Sequence, residues 1–293
     1  MQTRTGNFPI GFRRGWSDWQ KKDLKSLAAW AAQSGFEAID LGKVGSEEMS
    51  VIKSAGLQLG SADLLDFGGI MAKDAGKRKE AVAKNAQYVK DAAAAGAKIF
   101  FTVLIPGDPS AKRSENYRQA IDCYAPICQA AATAGAFVAI EGWPGVPPWY
   151  ANLCCSPEMM RAFFKEIPKG SALNYDPSHL IRIGIDHIRF LKEFIQYVKH
   201  VHAKDTALLP DAQYELGFYQ DSIFSEAHGF GEYVWRHTIP GQGVARWTEI
   251  LQTLVSSRYQ GVVSVELEDE NFNTDEAGEK AGLTHSLNFL RGV

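Results

Sequence analysis

The 293-residue chain reads as a single (β/α)8 TIM-type barrel spanning residues 1–293, and three observations carry that prediction. Amphipathic helical segments alternate with short apolar strands, the order that builds a parallel sheet. Gly35, Gly56, Gly96 and Gly135 each stop a helix just before a strand begins. A chain that is 45% hydrophobic and 22% charged also has enough apolar surface for one large core, and a single domain of this length is commonly an α/β barrel.

The elements follow in order. "FPIGFRR" opens the chain as the first strand, and "SLAAWAAQSGFEAIDLG" and "MSVIKSAGLQLGSADLL" each give a helix, a glycine stop and a strand. "NAQYVKDAAAAGAKIFFTVLIPG" repeats the device with a strand ending near Val103, and "YRQAIDCYAPICQAAATAGAFVAIEGWPG" with a strand ending at Glu141. Pro126 sits inside that last helical pattern and predicts a kink. Three further strands end at Asp176, His202 and Glu266, and "AGEKAGLTHSLNFL" closes the chain as a helix. Eight strands and eight helices predict closure. An open doubly wound sheet is the alternative, weakened because no GxGxxG follows the first strand.

Residues 205–243 break the rhythm. This aromatic- and glycine-rich segment follows the seventh strand's carboxyl end, where barrel active sites lie, and predicts a lid or pocket wall.

Composition narrows the function. The net charge is −3 and no Lys/Arg run exceeds "KRK", which argues against nucleic acid or an anionic membrane as partner. The amino terminus lacks an apolar leader core and no run of about 18 apolar residues occurs, so a soluble, cytoplasmic protein is expected. Cys123, Cys128, Cys154 and Cys155 lack CxxC spacing and read as reduced thiols.

The stretch "VKHVHAKDTA" sharpens the question, because period 2 puts His200, His202 and Lys204 on one strand face. Other strands end the same way. Glu141 shares its face with Ala139, Asp176 with Asn174, and Glu266 with Ser264, whereas the intervening apolar residues face the helices. Glu141, Asp176, His202 and Glu266 therefore converge on one mouth. Converging charges of one sign cost stability without a counter-ion. Three carboxylates and one imidazole suit one hard or borderline divalent cation, with Mn²⁺ first and Co²⁺ or Mg²⁺ as alternatives, ahead of structural zinc. Glu141 and Glu266, on opposite sides of the mouth, are the candidate proton-transfer bases. Their chemistry is removal of a proton beside a carbonyl, giving an enediolate. Its collapse yields epimerisation, isomerisation or β-elimination.

Aromatic residues fit a sugar pocket: Trp143, Trp149 and Tyr150 after the fifth strand, and Phe218, Tyr219, Tyr233 and Trp235 in the long segment. A hydrophobic lid core or a subunit interface would read identically. His228 and His237 are undecided, while His187, His200 and His285 read as structural. No Gly-rich phosphate cradle stands out, which favours an unphosphorylated sugar.

"IEGWP", "NYDPSHL", "HVHAKD" and "VSVELED", in that order and each closing a strand, resemble the xylose isomerase-like TIM-barrel superfamily of sugar isomerases and epimerases, including ketose 3-epimerases and inosose dehydratase relatives. The resemblance implies that Glu141, Asp176, His202 and Glu266 bind one divalent cation and that the two glutamates exchange protons with substrate. It also implies substrate contacts from His179, from Lys204 or Asp205 in the "HxKD" pattern, and from Arg236 before "IPGQG". A ketose or keto-sugar isomerase or epimerase is thus the expected activity. A lyase acting on a 3-keto-sugar, 3-keto-glycoside or inosose, and a non-catalytic sugar-binding barrel, are the alternatives. A homo-oligomer or accessory subunit completing the pocket fits either activity. An endonuclease IV-type phosphodiesterase would need more metal ligands and a basic face.

Overall fold

The computed structural model describes residues 8–146 and 150–293. The amino-terminal residues 1–7 and Trp149, the latter read above as a pocket aromatic, lie outside the described residues. Eight parallel strands close a barrel: β1 (Ile10–Arg13), β2 (Ala38–Leu41), β3 (Gln58–Asp63), β4 (Ile99–Val103), β5 (Phe137–Glu141), β6 (Ser171–Tyr175), β7 (Val198–Ala203) and, after an antiparallel ribbon of β8 (Asp205–Leu208) and β9 (Trp235–Thr238), β10 (Val263–Val265). Going round the barrel the order is β1, β10, β7, β6, β5, β4, β3, β2. The four strands expected to carry ligands therefore form one contiguous half of the wall.

Local chemistry sets the helix boundaries. Asp23 caps the helix Leu24–Ser34 by accepting from the amides of Lys25 and Ser26, and Gly35 ends it at φ 92°, a left-handed conformation that suits a residue without Cβ. The helix Arg113–Thr133 runs through Pro126 without ending there. The expectation of eight helices is exceeded. Short helices such as Phe67–Ile70 and Pro177–Arg182 sit where strands turn outward over the mouth.

Strand parity divides the core in two. Val138, Ile140, Leu173, Tyr175, Val201, Val263 and Val265 are buried in the layer between strands and helices, and Tyr175 reaches the carbonyl of His187 there. Inside the barrel, beside apolar Phe101 and Ala139, many facing residues are polar: Asp40, Asn174, His200, His202 and Ser264 are all buried. One close approach makes this interior fit. A Cβ at Gly60 would run into Asp40 Oδ1 and the His200 ring, so only glycine leaves room on β3 for that pair.

The 205–243 segment is more ordered than its composition predicts. Asp205 to Leu208 pair antiparallel with Thr238 to Trp235, and the helix Pro210–Leu216 follows directly. The ribbon is pinned by Asp205. Its carboxylate accepts from the amides of Thr206 (2.8 Å), Gly241 (3.0 Å) and Ala245 (2.9 Å) and from Trp247 Nε1 (3.0 Å). Beyond the ribbon the apolar side chains turn outward, with Tyr219, Ile223 and Phe224 almost fully exposed.

Candidate metal centre

The seventh strand places His202 with its imidazole inside the barrel, its ring 5.0 Å from that of Phe101 on β4. Nδ1 faces Glu141 Oε2 at 2.8 Å and Glu266 Oε2 at 3.5 Å, while Nε2 points to Asp40 Oδ2 at 3.6 Å. A carboxylate behind one ring nitrogen orients the other toward a metal in many histidine sites. Asp176 enters as the cap of the helix Pro177–Arg182, one oxygen accepting from the amide of Ser178. Glu141, Asp176, His202 and Glu266 each offer one ligand atom, and these atoms lie within 4.8 Å of one another.

Whether the four suit a cation is decided by what their atoms lack. Asp176 Oδ2 is buried and makes no hydrogen bond among the described residues. Its nearest polar neighbours are Lys204 Nζ at 3.4 Å and His179 Nε2 at 3.5 Å. An orphaned buried carboxylate oxygen, two further glutamates and an imidazole make a donor set that fits a hard or borderline divalent ion.

The electrostatics agree. Burial, with the charges of Glu141 and Glu266 behind it, raises the Asp176 carboxyl well above the usual carboxylate range against the pull of Lys204. Burial would depress His202, but the Glu266 and Glu141 carboxylates outweigh it and drive the imidazole well above its ordinary value. Protons thus stand in where positive charge is needed, and a bound cation would replace them.

The remaining expected residues divide. His179 joins the cluster with Nε2 3.3 Å from Glu141 Oε1. Burial and the nearby Lys204 charge push its pKa down to about 3, so the ring is neutral. Lys204 is buried, 2.5 Å from Glu266 Oε2 and 2.9 Å from Glu268 Oε2. Trp143 follows β5 closely, its carbonyl accepting from Asn152 Nδ2 and Cys155 Sγ.

Two assignments are corrected. Asp205 is not available to substrate: both its oxygens are taken by the four donors that pin the ribbon. Arg236 is engaged by carboxylates of the chain, its guanidinium 3.2 Å from Asp269 and 3.6 Å from Glu270. His237, the next residue on β9 and hence on the other face, lies at the cluster instead, its ring 5.4 Å from His179 and Nδ1 3.1 Å from Thr206 Oγ1.

Several residues were not found from the sequence. Asn174 Nδ2 donates to Glu141 Oε2 at 2.6 Å, Arg13 Nε lies 3.3 Å from Glu266 Oε1, and Glu268 flanks Lys204. His200, read as structural, pairs with Asp40 at 2.9 Å in the layer beneath His202. His187 is structural as expected, Nε2 accepting from the amide of Arg246.

The chain belongs to the xylose isomerase-like TIM-barrel family, whose model matches residues 19–293. Over 113 residues it is 29% identical to the inosose dehydratase of Geobacillus thermodenitrificans, a match covering 39% of this chain and 36% of that protein. The match thus spans about a third of that relative's length. Two solved structures share the fold over almost the whole chain. D-psicose 3-epimerase from Clostridium cellulolyticum H10 superposes with a TM-score of 0.67 at 15% identity, covering 97% of this chain and 98% of its own. The 3-keto-D-glucoside 4-epimerase from E. coli superposes with a TM-score of 0.67 at 16% identity, covering 97% and 99%. The proteins this chain resembles in fold or in part of its sequence thus include two epimerases and a dehydratase. Among the described residues no helix is long and apolar enough to cross a membrane.

Proposed function

We propose that the protein is a divalent-metal-dependent isomerase or epimerase of a ketose or keto-sugar, with Glu141 and Glu266 as its proton-transferring pair. The observation that carries the reading is that two glutamates from opposite ends of the ligand-bearing half, β5 and β10, meet at one imidazole. A divalent cation, Mn²⁺ by the oxygen-rich donor set, would when bound polarise a substrate carbonyl and offset the charge that develops beside it.

The chain's own residues do the rest. Glu141, ionised, removes the proton from the carbon beside the carbonyl, and Glu266, taking a proton from Lys204 Nζ 2.5 Å away, returns it to the opposite face. Return to the same carbon inverts it, whereas return to the former carbonyl carbon, with the neighbouring hydroxyl's proton passing to the former carbonyl oxygen, exchanges aldose and ketose. Without a cation, the His202 charge and hydrogen bonds from the His202 and His179 rings keep Glu141 below the usual carboxylate range against burial, and a bound cation would take over the part of the His202 charge. Lys204 does the same for Glu266, again against burial. Neutral His179 and His237 line the approach for sugar hydroxyls.

Lys204 favours a second reading. An ammonium fixed between Glu266 and Glu268 is placed to protonate a departing oxygen, which would turn the same first step into β-elimination from a 3-keto-sugar, keto-glycoside or inosose. The match to an inosose dehydratase supports this arm. Incubating the metal-loaded protein in D₂O with a panel of ketoses, 3-keto-glycosides and inososes separates the outcomes. Deuterium in a product of unchanged formula supports the isomerase or epimerase. An unsaturated product with released water or aglycone supports the lyase. Neither exchange nor turnover across the panel would leave only a sugar-binding barrel.

A further inference from the structure

Beside the metal cluster lies a cavity of about 700 Å³ that none of the four candidate ligands lines. That volume falls in the range of small-molecule sites and exceeds what one sugar ring fills. Its wall is the outward continuation of the cluster. On the helix Pro177–Arg182, His179 faces the cluster and Arg182, three residues on and so one turn further out, faces the cavity. On β9 the same step is made by His237 and Trp235, whose rings lie 4.9 Å apart. Tyr150, Met159 and Phe218 complete an apolar, aromatic lining.

Arg182 is the exception in that lining. It is 7% exposed, its guanidinium lies 4.7 Å from the centre of the Trp235 ring, and Nη2 donates to the carbonyl of Gly145 at 3.0 Å. Nε makes no hydrogen bond, and the guanidinium forms no ion pair among the described residues. The other charged side chains of the lining, Arg113 and Glu158, are exposed and of opposite sign. Leaving a buried guanidinium without a carboxylate is costly, and its planar fork matches an anionic oxygen pair. Aromatic walls fit a flat apolar group.

We propose that this cavity is a substrate subsite for an aromatic substituent of the sugar carrying an anionic oxygen, held by Arg182 and stacked among Trp235, Tyr150 and Phe218. The proposal rests on the proton-transfer reading for its link to the reacting sugar, while the subsite itself can be tested without turnover. It makes the substrate an aryl-substituted keto-sugar, larger than a free ketose, and gives the 205–243 segment its use, since Phe218 and Trp235 come from it.

The test is calorimetric titration of the full-length, metal-loaded protein with 4-hydroxybenzoate and with its uncharged counterpart, 4-hydroxybenzyl alcohol. The expected result is at least about tenfold tighter binding of the acid, as a charge-assisted hydrogen bond implies. Arg182→Gln should bring the two affinities within about threefold. Met159→Trp, which fills the cavity from the opposite wall, should abolish binding of both while circular dichroism and metal content stay unchanged. Equal affinity for acid and alcohol in the wild-type protein, binding of neither, or undiminished binding in Met159→Trp would overturn the subsite. The wild-type comparison decides the charge requirement even if Arg182→Gln fails to fold. Exchange on a keto-sugar without binding of the acid removes the subsite alone. Binding of the acid without exchange on any keto-sugar removes the proton-transfer reading alone.

Discussion

The two halves of the barrel mouth both put charge inside the barrel, but they settle it differently. On the side of β1, β2 and β3, Arg13 forks onto Asp63 at 2.7 and 2.9 Å, and Asp40 pairs with His200 at 2.9 Å. On the side of β5, β6, β7 and β10, Glu141, Asp176 and Glu266 gather with Glu268 around one lysine and one imidazole, and Asp176 Oδ2 is left without a hydrogen bond. The charges of the first half are all paired, Asp40 through His200, which reaches across from β7. The second gathers more carboxylates than cations, and that donor set is what fits it to a cation.

The largest expected effect lies in the second half. Glu141→Gln or Glu266→Gln should lower deuterium exchange on the cognate keto-sugar by about 10²–10⁴-fold, the usual contribution of a positioned base, with the fold retained. Exchange at the wild-type rate in both variants would remove the two-glutamate account.

Breaking the completed half should cost stability instead. Arg13→Met leaves the half-buried Asp63 unpaired, and the melting transition should report about 1–3 kcal/mol lost. Asp63→Leu added to Arg13→Met should recover much of that loss, because the uncompensated charge goes with it. A single variant as stable as wild type would show that the pair holds nothing in place.

Away from both halves, Asp205→Asn keeps the size of the side chain but removes the charge that receives four donors. A loss of about 1–3 kcal/mol is expected, with metal affinity unchanged. Loss of metal with stability intact would restore Asp205 to the site. Smallest is Arg236→Gln, which should cost about 1 kcal/mol, because buried Asp269 keeps the amide donors of Ile239 and Asn271, and should leave kcat/KM within twofold. A large fall in kcat/KM would return Arg236 to the substrate.

The same contrast explains what could be read from the sequence. The convergence of Glu141, Asp176, His202 and Glu266 was legible because each ends an apolar strand with period-2 parity, so a local pattern fixes which way the side chain points. His200 was not legible as Asp40's partner, because 160 residues separate them and only closure of the barrel joins β2 to the interior of β7. Asp205 was misassigned because "HxKD" does not show the chain turning after Ala203 to begin a second, antiparallel strand. The partners of Arg236 and His237 were not legible for a related reason. A strand inside the long segment has parity, but its register is set by pairing Thr206 with His237, which the composition of the segment hides.

The most direct test of the central claim is calorimetric titration of the metal-stripped protein with Mn²⁺, run in parallel on wild type, His202→Ala and His187→Ala. One site per chain is predicted, bound by wild type and His187→Ala alike and weakened at least about tenfold by His202→Ala, the loss that removal of one ligand or its support brings. No binding by the folded wild-type protein, or equal affinity in all three, would contradict the assignment of the strand-end cluster as a metal centre.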